Sequence, residues 1–124
     1  MKVQESAENY LETILILEKQ HSGVHAIDIA GELGFSKPSV SIAMKRLREN
    51  GYITIDEFQH ISLTEKGREI AERMYDRHRL LHDLLVRLGV SDETASHDAC
   101  KIEHVLSEET FACIQRHAEL YGDK

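Results

Sequence analysis

The sequence predicts a mainly α-helical protein in which a winged helix-turn-helix is followed by a second, wholly helical part. Two observations predict this fold. Two helical patterns flank a Gly-containing turn at residues 34–36, and two short alternating segments follow them, which is typical of a helix-turn-helix with a β-hairpin wing. Three more helical patterns then fill the remainder of the chain. We place the boundary between the two domains at 1–66 and 67–124.

The helices of the first part are indicated by apolar spacing and by their capping residues. From Ser6 to about Lys19, apolar residues recur at helical spacing along one broad face. A short helix over residues 26–33 ends at Gly34, where a positive φ is easily adopted. Ser36 then suits the N-cap of the next helix, and Pro38 falls in its first turn, where proline is tolerated.

The wing is predicted from alternating apolar and polar residues, and the later helices are predicted from residues that begin or end helices. Residues 52–55 and 60–63 alternate apolar and polar side chains around a short polar tip, which predicts a hairpin. A long helix is predicted over residues 64–88, where a glycine stops it. Two further helices are predicted over about 94–106 and about 108–121, each preceded by a serine that suits an N-cap.

Charge distribution indicates a nucleic-acid contact that the net charge alone would argue against. The chain carries a formal charge of −7, and phosphate binding requires cations. Residues 36–50, however, hold four basic residues against one acidic residue, a local charge of +3 on the predicted second helix of the motif. We expect this helix and the wing to contact double-stranded DNA. The expected DNA-contacting residues are Ser36, Lys37, Pro38, Ser39, Ser41, Lys45, Arg48 and His60.

The lengths of the apolar runs and the positions of the cysteines indicate the cellular compartment of the protein. No apolar stretch approaches the ~20 residues that a membrane span needs, and the first ten residues lack the apolar core of a signal peptide. The two cysteines, Cys100 and Cys113, lie in helical patterns and give no disulfide framework. We therefore expect a cytoplasmic protein without membrane association.

A metal site is suggested by three ligand-type residues at helical spacing. Cys100, Glu103 and His104 stand at i, i+3 and i+4, so a helix would place a thiolate, a carboxylate and an imidazole on one face. Any one of them alone is more commonly structural, because a lone cysteine on a helix is usually a small buried hydrophobe. Together they favour a divalent transition metal.

Further histidines strengthen this interpretation. His97 precedes the trio by three residues, and His78 stands four residues before His82 on the preceding long helix. Neutral imidazole is the commonest protein ligand of transition metals. The pattern leaves open whether one or two ions bind, and a closed structural zinc site is an alternative.

The segment from Ser96 to Ser107 and the winged helix together resemble the diphtheria toxin repressor family, which includes the manganese transport regulators. The resemblance extends over residues 6–12, 28–30 and 77–81. It implies a homodimeric repressor of metal-homeostasis genes, activated by Fe(II) or Mn(II), in which residues 67–124 bind metal and form the dimer. Zn, Co and Ni would be substitutes in vitro. The sequence matches a short form without the SH3-like domain of longer members.

The resemblance also implies two ligand sets. The primary site would comprise Asn9, Cys100, Glu103 and His104. The ancillary site would comprise His78, His82 and His97. Glu12 matches the manganese-type pattern, whereas the softer Cys100 matches the iron type. Asn9 departs from both types, because it offers only a neutral carbonyl oxygen.

Other classes of function remain as alternatives. A metal-independent winged-helix regulator that responds to an organic ligand would leave the His and Cys residues unexplained. A small metalloenzyme, as in zinc deaminases, is a more remote alternative, because the chain has neither a nucleophile paired with a base in a known motif nor a Gly-rich phosphate loop. A protein-interaction module is disfavoured by the local +3 charge of residues 36–50. We expect that the protein is not an enzyme.

Overall fold

The computed structural model describes residues 5–121 and confirms the predicted fold class. These residues form two compact units, one ending at Arg73 and one beginning at Met74. Six helices and one two-stranded sheet follow in chain order: α1 (Glu5–Gln20), α2 (Ala26–Leu33), α3 (Lys37–Glu49), β1 (Ile53–Ile55), β2 (Ile61–Leu63), α4 (Glu65–Arg87), α5 (Asp92–Ile102) and α6 (Glu108–Tyr121). Among the described helices, none combines the length and apolar character that a membrane crossing needs.

The first unit is built around a core shared by α1, α2, α3 and the sheet. Helix α1 contacts α2 and β2, and α3 contacts α2 and β1. The side chains of this core that are almost wholly buried are Leu11, Ile14, Val24, Ile29, Val40, Met44 and Ile53. The core leaves one face of α3 without a partner in this unit, and the polar side chains of α3 lie on that face.

Local capping fixes the turn between α2 and α3, as the sequence predicts. Gly34 adopts a left-handed conformation with φ of 71° and ends α2. The Ser36 side chain accepts a hydrogen bond from the Ser39 amide and begins α3. At the other end of α2, His25 and Asp28 form a reciprocal capping box that the sequence analysis did not identify.

The wing is a short antiparallel hairpin with an ordered tip. Strands β1 and β2 pair with Ile53 opposite Leu63 and Ile55 opposite Ile61. At the tip, the Asp56 carboxylate accepts hydrogen bonds from the backbone amides of Phe58 and His60, at 2.8 and 2.9 Å. Because one carboxylate binds two amides of the turn, the tip has a defined conformation rather than that of a free loop.

The first turns of α4 belong to the first unit. The Thr64 amide donates to the Tyr52 carbonyl oxygen at 3.0 Å, and Gly67 lies directly against the same carbonyl. Arg68 forms an ion pair of 3.0 Å with Glu18 of α1. The compact units therefore divide inside α4, after Arg73, whereas the sequence places the boundary at 66/67.

In the second unit, α4 contacts the turn after α5 through Arg77 and His78. The side chains of Met74, Leu81, Ala95 and Ala99 are buried in this unit. Helix α5 ends at Ile102, so the prediction of a helix continuing to Leu106 is wrong. The reason is non-local: the Arg77 guanidinium of α4 donates to backbone carbonyl oxygens beyond Ile102, which favours a turn there.

Candidate metal centre and nucleic-acid interface

A fully buried carboxylate lies between two imidazoles in the second unit. Glu103 is 0% exposed, the His78 Nδ1 atom is 3.3 Å from its Oε2, and the His104 Nε2 atom is 3.4 Å from its Oε1. A buried carboxylate is costly unless a cation or hydrogen-bond donors compensate its charge. Carboxylate oxygen and imidazole nitrogen are ligands that Mn(II), Fe(II) and Zn(II) all accept, so Glu103 and His104 fit a divalent metal, and His78 lies against the same carboxylate.

The turn after α5 places Glu103 and His104 beside each other. Glu103 keeps helical backbone angles and its amide donates to the Ala99 carbonyl oxygen at 3.0 Å. The Val105 amide then donates to the Ile102 carbonyl oxygen, which closes a tighter turn. Helix α5 therefore ends at Ile102, with Glu103 as its C-cap and His104 in the turn, and the expectation that these two residues share a face with Cys100 stays a prediction.

Cys100 lies inside α5 and is partly exposed. In this unit, the ligand atoms that come within 4.8 Å of one another in a metal-type group are those of Glu103 and His104, and Cys100 is not a member of that group. Its role as a ligand stays a prediction from the resemblance.

His82 pairs with carboxylates rather than with the other predicted histidines. Its Nε2 lies 2.8 Å from Asp92 Oδ1 and its Nδ1 lies 3.3 Å from Asp83 Oδ1. These two hydrogen bonds, first to Asp83 and then to Asp92, raise the pKa of His82 above its usual range. The His82 and His78 rings are parallel with centroids 6.3 Å apart.

The predicted ancillary trio is not assembled in the described residues. His78 is directed to the Glu103 carboxylate, whereas His97 is 67% exposed on α5 and lies 3.6 Å from the neighbouring Asp98. Among residues 5–121, His78, His82 and His97 do not form a group of three ligands. Their spacing along the sequence did not reveal this, because the carboxylates nearest to His78 and His82, Glu103 and Asp92, lie outside α4.

Two predicted ligands lie on α1 in the first unit. Glu12 is 5% exposed, in a run of otherwise uncharged buried side chains. The Asn9 side chain is half-buried, and its backbone carbonyl oxygen accepts a hydrogen bond of 2.8 Å from the Thr13 hydroxyl. A buried carboxylate is rare in proteins unless it is paired with a positive charge or with hydrogen-bond donors.

The outer face of α3 carries the predicted DNA contacts. All seven of its predicted residues are exposed: Ser36, Lys37, Pro38, Ser39, Ser41, Lys45 and Arg48. The opposite face is buried through Val40, Met44 and Leu47. Ile42 lies among these exposed residues, with 57% of its surface accessible.

The exposed tip of the wing is formed by Phe58, whereas His60, the residue expected to contact DNA, is half-buried. His60 is half-buried, with its ring perpendicular to that of His25 at 4.8 Å and its Nδ1 3.3 Å from Asp56. At the tip, two acidic residues precede Phe58, which is 68% exposed. The contact of His60 with DNA stays a prediction. Sequence analysis missed Phe58, although an aromatic residue in a polar hairpin tip is a visible signal.

Two protein families match successive parts of this chain. The family described as the iron dependent repressor N-terminal DNA binding domain matches residues 2–61. The family described as the iron dependent repressor metal binding and dimerisation domain matches residues 64–119. Together the two matches cover nearly the whole chain.

Individual relatives agree with these matches. An uncharacterized HTH-type transcriptional regulator of Methanocaldococcus jannaschii is 34% identical, covering 98% of this chain and 99% of that protein. The transcriptional regulator MntR of Escherichia coli is 33% identical, covering 98% of this chain and 78% of that protein. A solved structure of a manganese-dependent transcriptional repressor in complex with manganese superposes with a TM-score of 0.80 at 29% identity. This last match covers 90% of this chain and 51% of the solved chain, so the chain spans about half the length of that repressor. The chain belongs to the family of iron-dependent repressors, as its resemblance to the diphtheria toxin repressor family predicts.

Proposed function

We propose that this protein is a metal-activated transcriptional repressor that binds a double-stranded DNA operator as a cytoplasmic homodimer and controls genes of metal homeostasis. The observation that carries the proposal is the buried Glu103 carboxylate with the His78 and His104 imidazoles on either side of it. This group lies within the part of the chain that matches a metal-binding and dimerisation domain.

The ligand chemistry supports Fe(II) or Mn(II) as the activating ion. The Glu103 carboxylate and the His104 imidazole, with the His78 imidazole beside the carboxylate, provide hard and borderline donors, which suit both ions and also accept Zn(II), Co(II) or Ni(II) in vitro. The resemblance adds further ligands to this proposal: Asn9, Glu12, His82, His97 and Cys100. Participation of the Cys100 sulfur would favour Fe(II), and its absence together with participation of Glu12 would favour Mn(II).

In the proposed mechanism, the residues of the centre change protonation and charge when the ion binds. The imidazoles of His78 and His104 are ligands only in their neutral form, so binding releases any proton that they carry. The ion supplies positive charge to a chain with a formal charge of −7. On the DNA side, the exposed face of α3 enters the major groove, with Lys45 and Arg48 on phosphates. If the ion tightens DNA binding, linkage requires that DNA tighten ion binding by the same factor.

The proposal is tested by fluorescence anisotropy with DNA from the promoter of the protein's own gene. The purified protein is titrated without oxygen in Fe(II), in Mn(II), in Zn(II) and in a chelator. We expect binding only with metal, and the most effective ion identifies the preference of the site. Binding that persists unchanged in the chelator would contradict the proposal and favour a metal-independent winged-helix regulator.

A pair of variants links the response to the buried carboxylate. Glu103→Gln keeps the shape of the side chain but removes its charge, and it should weaken metal affinity more than about 10-fold, since even partners outside the ligand set are worth about 10- to 100-fold. Glu93→Gln, at an exposed position of α5, is the matched control and should leave the metal response unchanged. Equal metal affinity in both variants would exclude Glu103 as a ligand.

A further inference from the structure

A buried arginine in α4 connects three elements of the second unit. Arg77 is 4% exposed, and its Nη1 donates to the carbonyl oxygens of Glu103 and Leu106, at 3.1 and 3.0 Å. Its Nη2 donates to Glu108 Oε1 at 2.8 Å, and its guanidinium carbon lies 5.1 Å from the centre of the Phe111 ring. Every one of these partners lies in the turn after α5 or in the first turns of α6.

These contacts hold the two ends of one short turn. The carbonyl groups at the end of a helix lack partners within the helix and need donors from elsewhere. The Arg77 Nη1 atom donates to the carbonyl oxygens of both Glu103 and Leu106, and His104 lies between these two residues in the sequence. A planar guanidinium presents several donors in a fixed fork, whereas an ammonium is a point charge on a flexible stem. The geometry therefore requires arginine rather than a generic cation.

We propose that Arg77 is a positioning residue of the metal centre. It fixes the turn that carries Glu103 and His104, while the next residue of α4, His78, faces the Glu103 carboxylate at 3.3 Å. Arg77 is not a ligand, and its ion pair with Glu108 offsets a positive charge that would otherwise oppose a cation nearby. The inference rests on the proposed function, because it concerns the same centre.

The direct test compares Arg77→Lys with Arg79→Lys in the full-length apo protein. Lysine keeps the charge and the apolar stem at position 77 but lacks the planar set of guanidinium donors. We therefore expect the Mn(II) dissociation constant to rise about 10- to 100-fold, as for other groups that orient metal ligands. Arg79 is exposed, lies two residues further along α4, and has its guanidinium carbon 5.8 Å from the centre of the Tyr75 ring, so its lysine variant should bind like the wild type. Isothermal titration calorimetry measures the affinity.

A spectroscopic measurement separates positioning from a general loss of stability. Co(II) bound to the centre gives visible absorption bands that report coordination geometry, and we expect Arg77→Lys to shift them at saturation. Hydrogen exchange of the amides of residues 103–107 should be faster in this variant. Phe111→Leu provides a second variant that leaves every Arg77 hydrogen bond available, and we expect a smaller rise in the Mn(II) dissociation constant, about 3-fold, from loss of the ring face.

The outcomes distinguish this inference from the proposed function. Wild-type protein that binds no Mn(II) or Co(II) would contradict the proposed function itself. If the wild type binds these ions and Arg77→Lys has the same affinity and the same Co(II) spectrum, the role of Arg77 is overturned but the proposed function is not. A weaker affinity that merely follows a lower unfolding temperature, with an unchanged spectrum at saturation, would also overturn it.

Discussion

Replacing Gly67 by alanine tests the junction between the wing and α4. A Cβ atom at this position would collide with the carbonyl oxygen of Tyr52 and would also lie 2.9 Å from its carbonyl carbon. The obstacle is backbone, so no side-chain rotation can relieve it. The start of α4 would have to move away from β1, and the hydrogen bond from the Thr64 amide to the Tyr52 carbonyl oxygen would weaken.

The change in the free energy of unfolding caused by Gly67→Ala is the sum of three contributions. Overpacking a buried site costs about 1–3 kcal/mol, and loss of one backbone hydrogen bond costs about 1 kcal/mol. Alanine is favoured over glycine inside a helix by about 1 kcal/mol, which offsets part of this cost. The net decrease in the free energy of unfolding should be about 2 kcal/mol, which corresponds to a fall in Tm of about 8 °C for a domain of this size.

The same substitution at Gly31 provides the control. Gly31 also lies in a helix, but a Cβ atom there would meet nothing within 4 Å. Gly31→Ala should therefore raise the free energy of unfolding by about 0.5–1 kcal/mol through helix propensity alone. Urea denaturation followed by circular dichroism measures both variants. Equal effects of the two substitutions, or a stabilising Gly67→Ala, would refute the close contact between α4 and Tyr52.

Three further predictions concern charges. The hydrogen bond from the His60 amide is the main cause that lowers the pKa of Asp56. The stability that this turn contributes should therefore be present above the usual aspartate range and be lost as pH falls through the lowered pKa. NMR titration of the Asp56 carboxyl checks the direction of the shift. The pKa of His82 is raised above 6.5, mainly by Asp83, so this contribution to stability should be complete at low pH and lost as pH rises through the raised value. Asp83→Asn should move the NMR titration of His82 to lower pH, and an unmoved curve would contradict the assignment. Lys45→Ala should reduce the salt dependence of DNA binding by about one unit of slope per subunit, with little change in sequence preference.

The helix-turn-helix could be predicted closely because its signals are local. Gly34 ends α2 and Ser36 begins α3 through contacts within a few residues, and such contacts are visible in the sequence. The exposed polar face of α3 likewise followed from periodicity. The capping box of His25 with Asp28 was missed, although its spacing is equally local, because histidine is an uncommon N-cap residue.

The metal centre could be predicted only in part, because its geometry depends on distant contacts. The sequence identified Glu103 and His104 but placed them on a helix that ends earlier, since Arg77, 26 residues away, binds the carbonyl oxygen of Glu103. Helical spacing therefore did not predict that His78 of α4 lies against Glu103. The pairing of His78 with Glu103 arises from the packing of α4 against the turn, and spacing along one helix does not encode it.

In the proposed function, binding of a divalent ion and binding of DNA to this protein strengthen each other. The most direct test measures the Mn(II) dissociation constant of the protein alone and of the protein saturated with promoter DNA, and compares the ratio with the effect of Mn(II) on DNA affinity. The account predicts two equal ratios, of about 5- to 150-fold. Identical Mn(II) affinity with and without DNA would contradict it, because the ion would then be bound without any role in the recognition of DNA.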